Sequence, residues 1–379
     1  MVNVMKKESN VQQDLKRENR NKVFKKILES GSISSPSLSY ELQLSRPTVK
    51  QNLNELSELG LIYESGSVGH TGGRRAKTYS VVLDKKAAIG IDLTRNHISI
   101  VVSDLSENII YEKRVRHPFS MEEEYLRYLG ELVKEAVESQ HISEEEILGV
   151  GIAVPGLITE DHKKIFYGEI LKFTGISVEE IGKYIPYECR LYNDADAAGY
   201  AEISKNKELT DAFYISLSNN IGGSILINHK VYKGEGPRSG EIGHMTIVPD
   251  GKACYCGQKG CFETYCNAAL LSNLFDGNLA NFFEELESGR EDCQKVWEEY
   301  LKYLSIAVNN VRMLFDCKII LGGYVGAYME TYLPRLKEMA ASRNTFEKNA
   351  EYLRVCKVKK EALALGSALP FIHEFIEMI

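Results

Sequence analysis

Apolar residues first fall at helical spacing around Val23, Phe24, Ile27 and Leu28, an i, i+1, i+4, i+5 stripe that predicts a helix over 21–30 stopped by Gly31. Ser35 followed by Pro36 is the expected N-cap of a second, short helix running through Leu38 and Leu42, because proline has no N–H to lose in a first turn. Ser45, with Pro47 behind it, opens a third helix whose seam is Val49, Leu53, Leu56 and Leu59, ended by Gly60. Residues 61–63 and 78–83 then read as two strands around the polar stretch 64–77, which is rich in Gly, Ser, Arg and His. Three short-linked helices and a two-stranded wing make a winged helix-turn-helix.

Farther along, the pattern changes to runs with strand character. Stretches 88–93, 97–103 and 109–115 predict three consecutive strands, and a similar triplet returns at 212–217, 223–228 and 230–232. Each triplet is followed by helical sequence. Two halves that open alike suggest a duplicated α/β architecture with a ligand cleft between its lobes. Between the triplets lie a buried-type strand, 147–154, running into Pro155-Gly156, and a strand 190–192 running into Asn193-Asp194. Polar residues at the carboxyl end of such strands project into a ligand crevice, although an Asn-Asp pair there also serves as a turn or helix cap.

Charge divides the chain where the pattern does. Residues 1–83 hold 13 Lys/Arg against 8 Asp/Glu, while the whole chain of 379 residues carries a net charge of −7. A basic head on an acidic body is what a phosphate-binding module fused to a soluble domain would show. On the third helix, Arg46, Thr48, Lys50, Gln51 and Asn54 lie off the apolar seam and are of the types that donate to base edges and phosphates. Arg74, Arg75 and Lys77 at the wing tip, beside Gly72 and Gly73, suit a narrow electronegative minor groove. A solvated face or a flexible basic linker would read the same way. No apolar run reaches the roughly 18 residues of a membrane span, and the polar opening Met1 to Arg20 has no signal-like apolar region, so a cytoplasmic location is expected.

Three of the eight cysteines crowd into 254–261, and His244 precedes them by nine intervening residues. One imidazole and three thiols, His244, Cys254, Cys256 and Cys261, make a closed tetrahedral set, the pattern of structural rather than catalytic zinc. Cys189, Cys266, Cys293, Cys317 and Cys356 are scattered and read as core or surface thiols.

These pieces together resemble the ROK family of repressors and sugar kinases, and its repressor branch in particular. The matching residues are the helix-turn-helix with its glycine-arginine wing, Pro155-Gly156, Asn193-Asp194 with Ala195-Asp196-Ala197-Ala198 behind it, the blocks Glu241 to His244 and Cys254 to Glu263, and Leu321-Gly322-Gly323. The resemblance implies an actin-like or ribonuclease-H-like pair of lobes: 84–200, completed by a C-terminal helix within 360–379, and 201–359, which carries the zinc loop. It implies a hexose-type sugar held by Asn193, Asp194, Glu241, His244 and Glu263, with His244 serving metal and sugar through its two ring nitrogens. Operator DNA would be read by a homodimer or homotetramer. Asp194 matches the base of the kinase members, yet both phosphate loops depart from theirs: Asp92-Leu-Thr-Arg-Asn96 stands for Asp-x-Gly-Gly-Thr, and Ser218-Asn-Asn220 for Gly-Thr-Gly. Side chains there obstruct the backbone approach that nucleotide phosphates need. The expected protein is therefore a sugar-responsive repressor without catalytic residues. The second reading is an ATP-dependent sugar kinase with an accessory DNA-binding domain.

Overall fold

A computed structural model of the chain describes residues 2–68 and 75–379, with side-chain surroundings from Asp14 onward. The head consists of α1 (Val2–Ser30), β1 (Ile33–Ser34), α2 (Ser35–Glu41), α3 (Arg46–Glu58), β2 (Ile62–Val68) and β3 (Ala76–Val81). Its strands form one antiparallel sheet in the order β1-β3-β2. Ser45 caps α3 as the spacing requires, its Oγ accepting from the Thr48 N–H at 3.2 Å. For α2 the cap is Ser34 rather than Ser35: Ser34 has the extended backbone, and its Oγ accepts from the Ser37 N–H. Val23, Phe24, Ile27, Leu38, Val49, Leu53 and Leu56 close the core, whereas Leu59, expected on the same seam, is 52% exposed because the helix has already ended at Glu58. Helix α1 begins far ahead of the predicted 21–30. Its early turns are polar and carry local pairs such as Lys22–Glu18, so no apolar period announces them.

The first lobe contains β4 (Ala87–Leu93), β5 (His97–Ser103), β6 (Ile109–Arg116), α4 (Glu123–Ser139), β7 (Ile147–Val154), the short pair β8 (Leu157–Ile158) and β9 (Ile165–Tyr167), α5 (Val178–Ile181), β10 (Cys189–Asn193) and α6 (Asp194–Lys205). The second contains β11 (Ala212–Leu217), β12 (Ile221–Ile227), β13 (Lys230–Val231), α7 (Glu263–Cys266), α8 (Ala269–Ser272), α9 (Leu279–Glu287), α10 (Glu291–Phe315), β14 (Lys318–Gly322), α11 (Gly323–Gly326), α12 (Met329–Ala341) and β15 (Leu353–Val355). The sheets run β10-β7-β4-β5-β6 and β15-β14-β11-β12-β13, one topology used twice. In each, the opening strand lies antiparallel to the second and parallel to the fourth, with Ile91 between Ile100 and Ile152, and Ile215 between Gly223 and Leu321. The duplication expected from the strand triplets is therefore present in the pairing itself. The chain ends in α13 (Ala362–Met378), which packs against β4, β7 and α6 of the first lobe. Among the described residues no helix is long and apolar enough to cross a membrane.

Candidate functional site

Strands β7 and β10 run parallel, so the ends of both deliver residues to the same side of the sheet. Pro155-Gly156 leaves β7 there, and Asn193 ends β10. The Asn193 amide oxygen accepts from the Asp196 N–H at 3.0 Å, and its amide nitrogen donates to the Gly156 carbonyl at 3.1 Å. Asn193 is thus the helix cap of α6 and a tie between the two strand exits. Asp194 opens α6 half-buried, and burial pushes its carboxyl up to about 6, with Asp196 adding to the rise and the Ala195 N–H opposing it.

Across from it, Glu241 precedes a single 3-10 turn, Ile242–His244, and Glu263 opens α7. Glu263 is buried and accepts from the Ile221 N–H at 2.6 Å. Gly243 makes this packing possible, since a Cβ there would lie 2.3 Å from the Ile221 carbonyl oxygen and 3.2 Å from Glu263 Oε2. The Glu241 side chain stays accessible, yet the protein around it and then Asp194 and Asp196 push its carboxyl up to about 7. Burial and, less strongly, Glu241 bring Glu263 to the same value. The charges of Asp194 and Asp196 thus act on Glu241, and that of Glu241 on Glu263.

Asp92, which sequence reasoning used only to mark an altered loop, is a further acid that feels the charge of Asp194. It is buried at the end of β4, its Oδ1 has no hydrogen-bond partner, and burial together with Asp194 raises it to about 8. A carboxyl held above its unfolded value keeps a proton in the folded chain that the unfolded chain releases, so stability falls as pH rises from about 4 to about 8. Asp92→Asn removes that dependence. Thermal denaturation should find the variant more stable than the parent at pH 8, by on the order of 3 kcal/mol, with the difference closing toward pH 4. Equal stability at both pH values would mean that Asp92 is not held neutral.

His244, Cys254, Cys256 and Cys261 come together, with ligand atoms all within 4.8 Å of one another. Cys254 Sγ lies 3.8 Å from His244 Nδ1, and Cys256 Sγ 3.7 Å from Cys261 Sγ. Tetrahedral bonds of about 2.0–2.3 Å give ligand-to-ligand edges of about 3.4–3.8 Å, so the set could hold a metal ion with little movement. Nδ1 faces the sulfurs. The other ring nitrogen, Nε2, faces the hydroxyl of Tyr255 at 3.3 Å, a partner the sequence did not single out.

In the head, Arg46, Lys50, Gln51 and Asn54 are exposed along α3. Gln51 donates to Glu55, itself paired with Arg20, and Thr48 is engaged in the Ser45 cap. Arg75 and Lys77 are exposed, and Lys77 pairs with Glu64 at 2.6 Å. Gly72, Gly73 and Arg74 lie outside the described residues.

The sequence profile of the ROK family matches residues 88–373. The chain belongs to the ROK family. The xylose repressor of Caldicellulosiruptor bescii is 26% identical over 388 residues, covering 96% of this chain and 97% of that one. Among solved structures, a ROK family transcriptional regulator, a homolog of the E. coli MLC protein, superposes with a TM-score of 0.74 at 21% identity, covering 96% of this chain and 97% of that one. A ROK family glucokinase from Streptomyces griseus, in complex with glucose and AMPPNP, has a TM-score of 0.62 at 21% identity and covers 75% of this chain and 98% of its own. These structures share the fold.

At the first altered loop the backbone closes a tight turn between β4 and β5. The Thr94 N–H donates to the His97 carbonyl at 3.0 Å, the Arg95 carbonyl accepts from Phe119, and the Asn96 carbonyl accepts from His117. The Arg95 guanidinium bonds the Ile170 carbonyl at 3.2 Å. Gly322 and Gly323 have packing reasons of their own: a Cβ on Gly322 would sit 2.1 Å from the Tyr214 hydroxyl, and Gly323 has φ +76°.

Proposed function

We propose that this ROK chain is a sugar-responsive transcriptional repressor of carbohydrate-utilisation genes. The winged helix binds operator DNA, with Arg46, Thr48, Lys50, Gln51 and Asn54 in the major groove and Arg74, Arg75 and Lys77 of the wing at the minor groove. A sugar binds between the lobes, where Asn193, Asp194, Glu241, His244 and Glu263 satisfy its hydroxyls, each of which both donates and accepts. Zinc occupies the His244, Cys254, Cys256 and Cys261 set as a structural ion, four protein ligands leaving no open position for chemistry. Domains divide at 1–83, 84–200 with the C-terminal helix, and 201–359. The chain works in the cytoplasm as a homodimer or homotetramer on a two-fold operator.

The observation that carries this reading is the joining, in one continuous core, of the helix-turn-helix head to the lobe that holds Asp194. Full-length similarity to a protein named a xylose repressor supports it and makes D-xylose the first sugar to try. Side chains at Thr94, Arg95 and Asn220, where the kinase loops carry glycine, favour a sensor over a kinase. Fluorescence anisotropy with duplex DNA from the chain's own promoter region, with and without D-xylose, D-glucose or N-acetyl-D-glucosamine, tests it: one sugar should change the operator Kd about 5- to 150-fold. ATP turnover with any of these sugars would favour the kinase instead. Lys50→Ala should weaken operator binding and reduce the salt slope by about one. An unchanged Kd would remove α3 from the DNA interface.

A further inference from the structure

Two segments that lead into the cleft meet outside it. The β8–β9 pair starts at Pro155-Gly156, and its root is fixed by the Asn193 amide on the Gly156 carbonyl. At its far side Phe166 and Tyr167 are 45% and 50% exposed, while Ile165 beside them is buried in the first lobe's core. From the second lobe, the chain after β13 is pinned by Lys233 to Asp196 at 2.7 Å and returns to the cleft at Glu241. Between these points, Gly234 (φ +72°) and Gly240 (φ +85°) hold backbone conformations that L side chains rarely adopt, while the Arg238 N–H donates to the Gly236 carbonyl at 2.7 Å. The resulting loop lays the Arg238 guanidinium over the Phe166 ring, 5.1 Å from its centroid. Among the described residues no carboxylate lies within ion-pair distance of Arg238, so the ring is the partner of its charge.

We propose that Arg238 and Phe166 form a clasp between the two lobes across the mouth of the cleft, which opens for a sugar to enter or leave. The proposal rests on the sugar-sensor reading. The Phe166 strand is tied through Gly156, ten residues away, to the Asn193 amide, and Arg238 stands three residues before Glu241. Cation–π contacts of exposed residues are weak, which suits an element that must open often.

Hydrogen exchange on the full chain reads the clasp without any sugar. Arg238→Ala should speed exchange of the amides in 157–168, on the opposite lobe, about two- to fivefold, and Phe166→Ala should do the same for 233–240. The double variant should exceed neither single change, and Arg238→Lys should recover part of the protection. Unchanged exchange across the cleft, or fully additive effects, overturns the clasp. With D-xylose as the probe, both association and dissociation should quicken about two- to fivefold in Arg238→Ala with little change in Kd, and unaltered rates would overturn the gating role. If D-xylose does not bind the parent chain, the choice of xylose fails, while the exchange measurement still decides whether the lobes are clasped.

Discussion

Cys261→Ser should empty the metal site and loosen the second lobe. Cys261 is fully buried and Cys254 nearly so, while Cys256 is exposed, so the inner thiols set the position of the loop and the outer one closes it. Burial, reinforced by hydrogen bonds with Cys256 and Cys254, raises the Cys261 thiol to about 12 when no cation is present. A divalent metal must therefore displace protons, and affinity should climb with pH. Serine keeps the volume but offers a hydroxyl in place of a thiolate. The loop 245–262 is otherwise held by backbone hydrogen bonds such as Ile247 N–H to the Gly260 carbonyl and Gly260 N–H to the Lys252 carbonyl, by the bridges Thr246–Cys261 and Ala253–Lys259, and by an apolar footing on Ile247 and Phe262. Losing the ion should cost about 3 kcal/mol or more, a Tm decrease of about 6–12 °C, and metal content should fall from one per chain to near zero after dialysis. The sugar response should weaken with it, because His244 and Glu263 flank the loop at both ends. Full metal content in the serine variant, or none in the parent chain, would show that the four residues are not a metal site.

The metal set was legible because its chemistry is written in residue type and spacing, as were the strand triplets, whose buried runs such as 87–93 and 212–217 leave little alternative. Helix α3 announced both its cap and its seam. What stayed hidden depends on partners remote in sequence. Asp92 looks like any acid at a strand end until the fold buries it beside Asp194, and Tyr255 acquires meaning only when the loop turns it onto His244 Nε2. Asn193 was read as a sugar ligand or a helix cap, and the fold shows it making the cap. The first half of α1 has no apolar stripe to find, and the shift from Ser35 to Ser34 at α2 is the one-residue uncertainty of any serine pair before proline. The Arg238–Phe166 contact joins residues from different lobes, and no local pattern marks it.

Gly366→Ala should be the most damaging single-methyl change in the first lobe. A Cβ on Gly366 would lie 1.7 Å from the Ala197 carbonyl oxygen of α6, and equivalent atoms on Gly90 and Gly151 would lie 1.8 and 1.9 Å from the carbonyls of Ala364 and Ser367 in α13. Helix α13 therefore touches strand and helix backbones directly, and Ser367 Oγ donates to the Gly151 carbonyl at 3.0 Å. Backbone on both sides cannot step aside as a side chain would, so the overpacking cost should reach about 3 kcal/mol, or about 6–12 °C in Tm. The same helix is the bridge to the head. Ile372, Ile376 and Ile379 share a core with Val23, Phe24 and Ile27, and Asn21 of α1 donates to the Glu377 carbonyl at 2.7 Å. Because α6 starts at Asp194, a shift there can pass along α6 to α13 and on to α1 only while the two helices remain in backbone contact. Under the repressor reading, Gly366→Ala should thus retain operator binding and sugar binding at temperatures where it stays folded, while the sugar-induced change in operator Kd shrinks toward onefold. A variant that loses stability yet keeps the full sugar response would show that the signal reaches the head by another route, with the β5–β6 turn around Leu105, also part of that core, the next segment to alter.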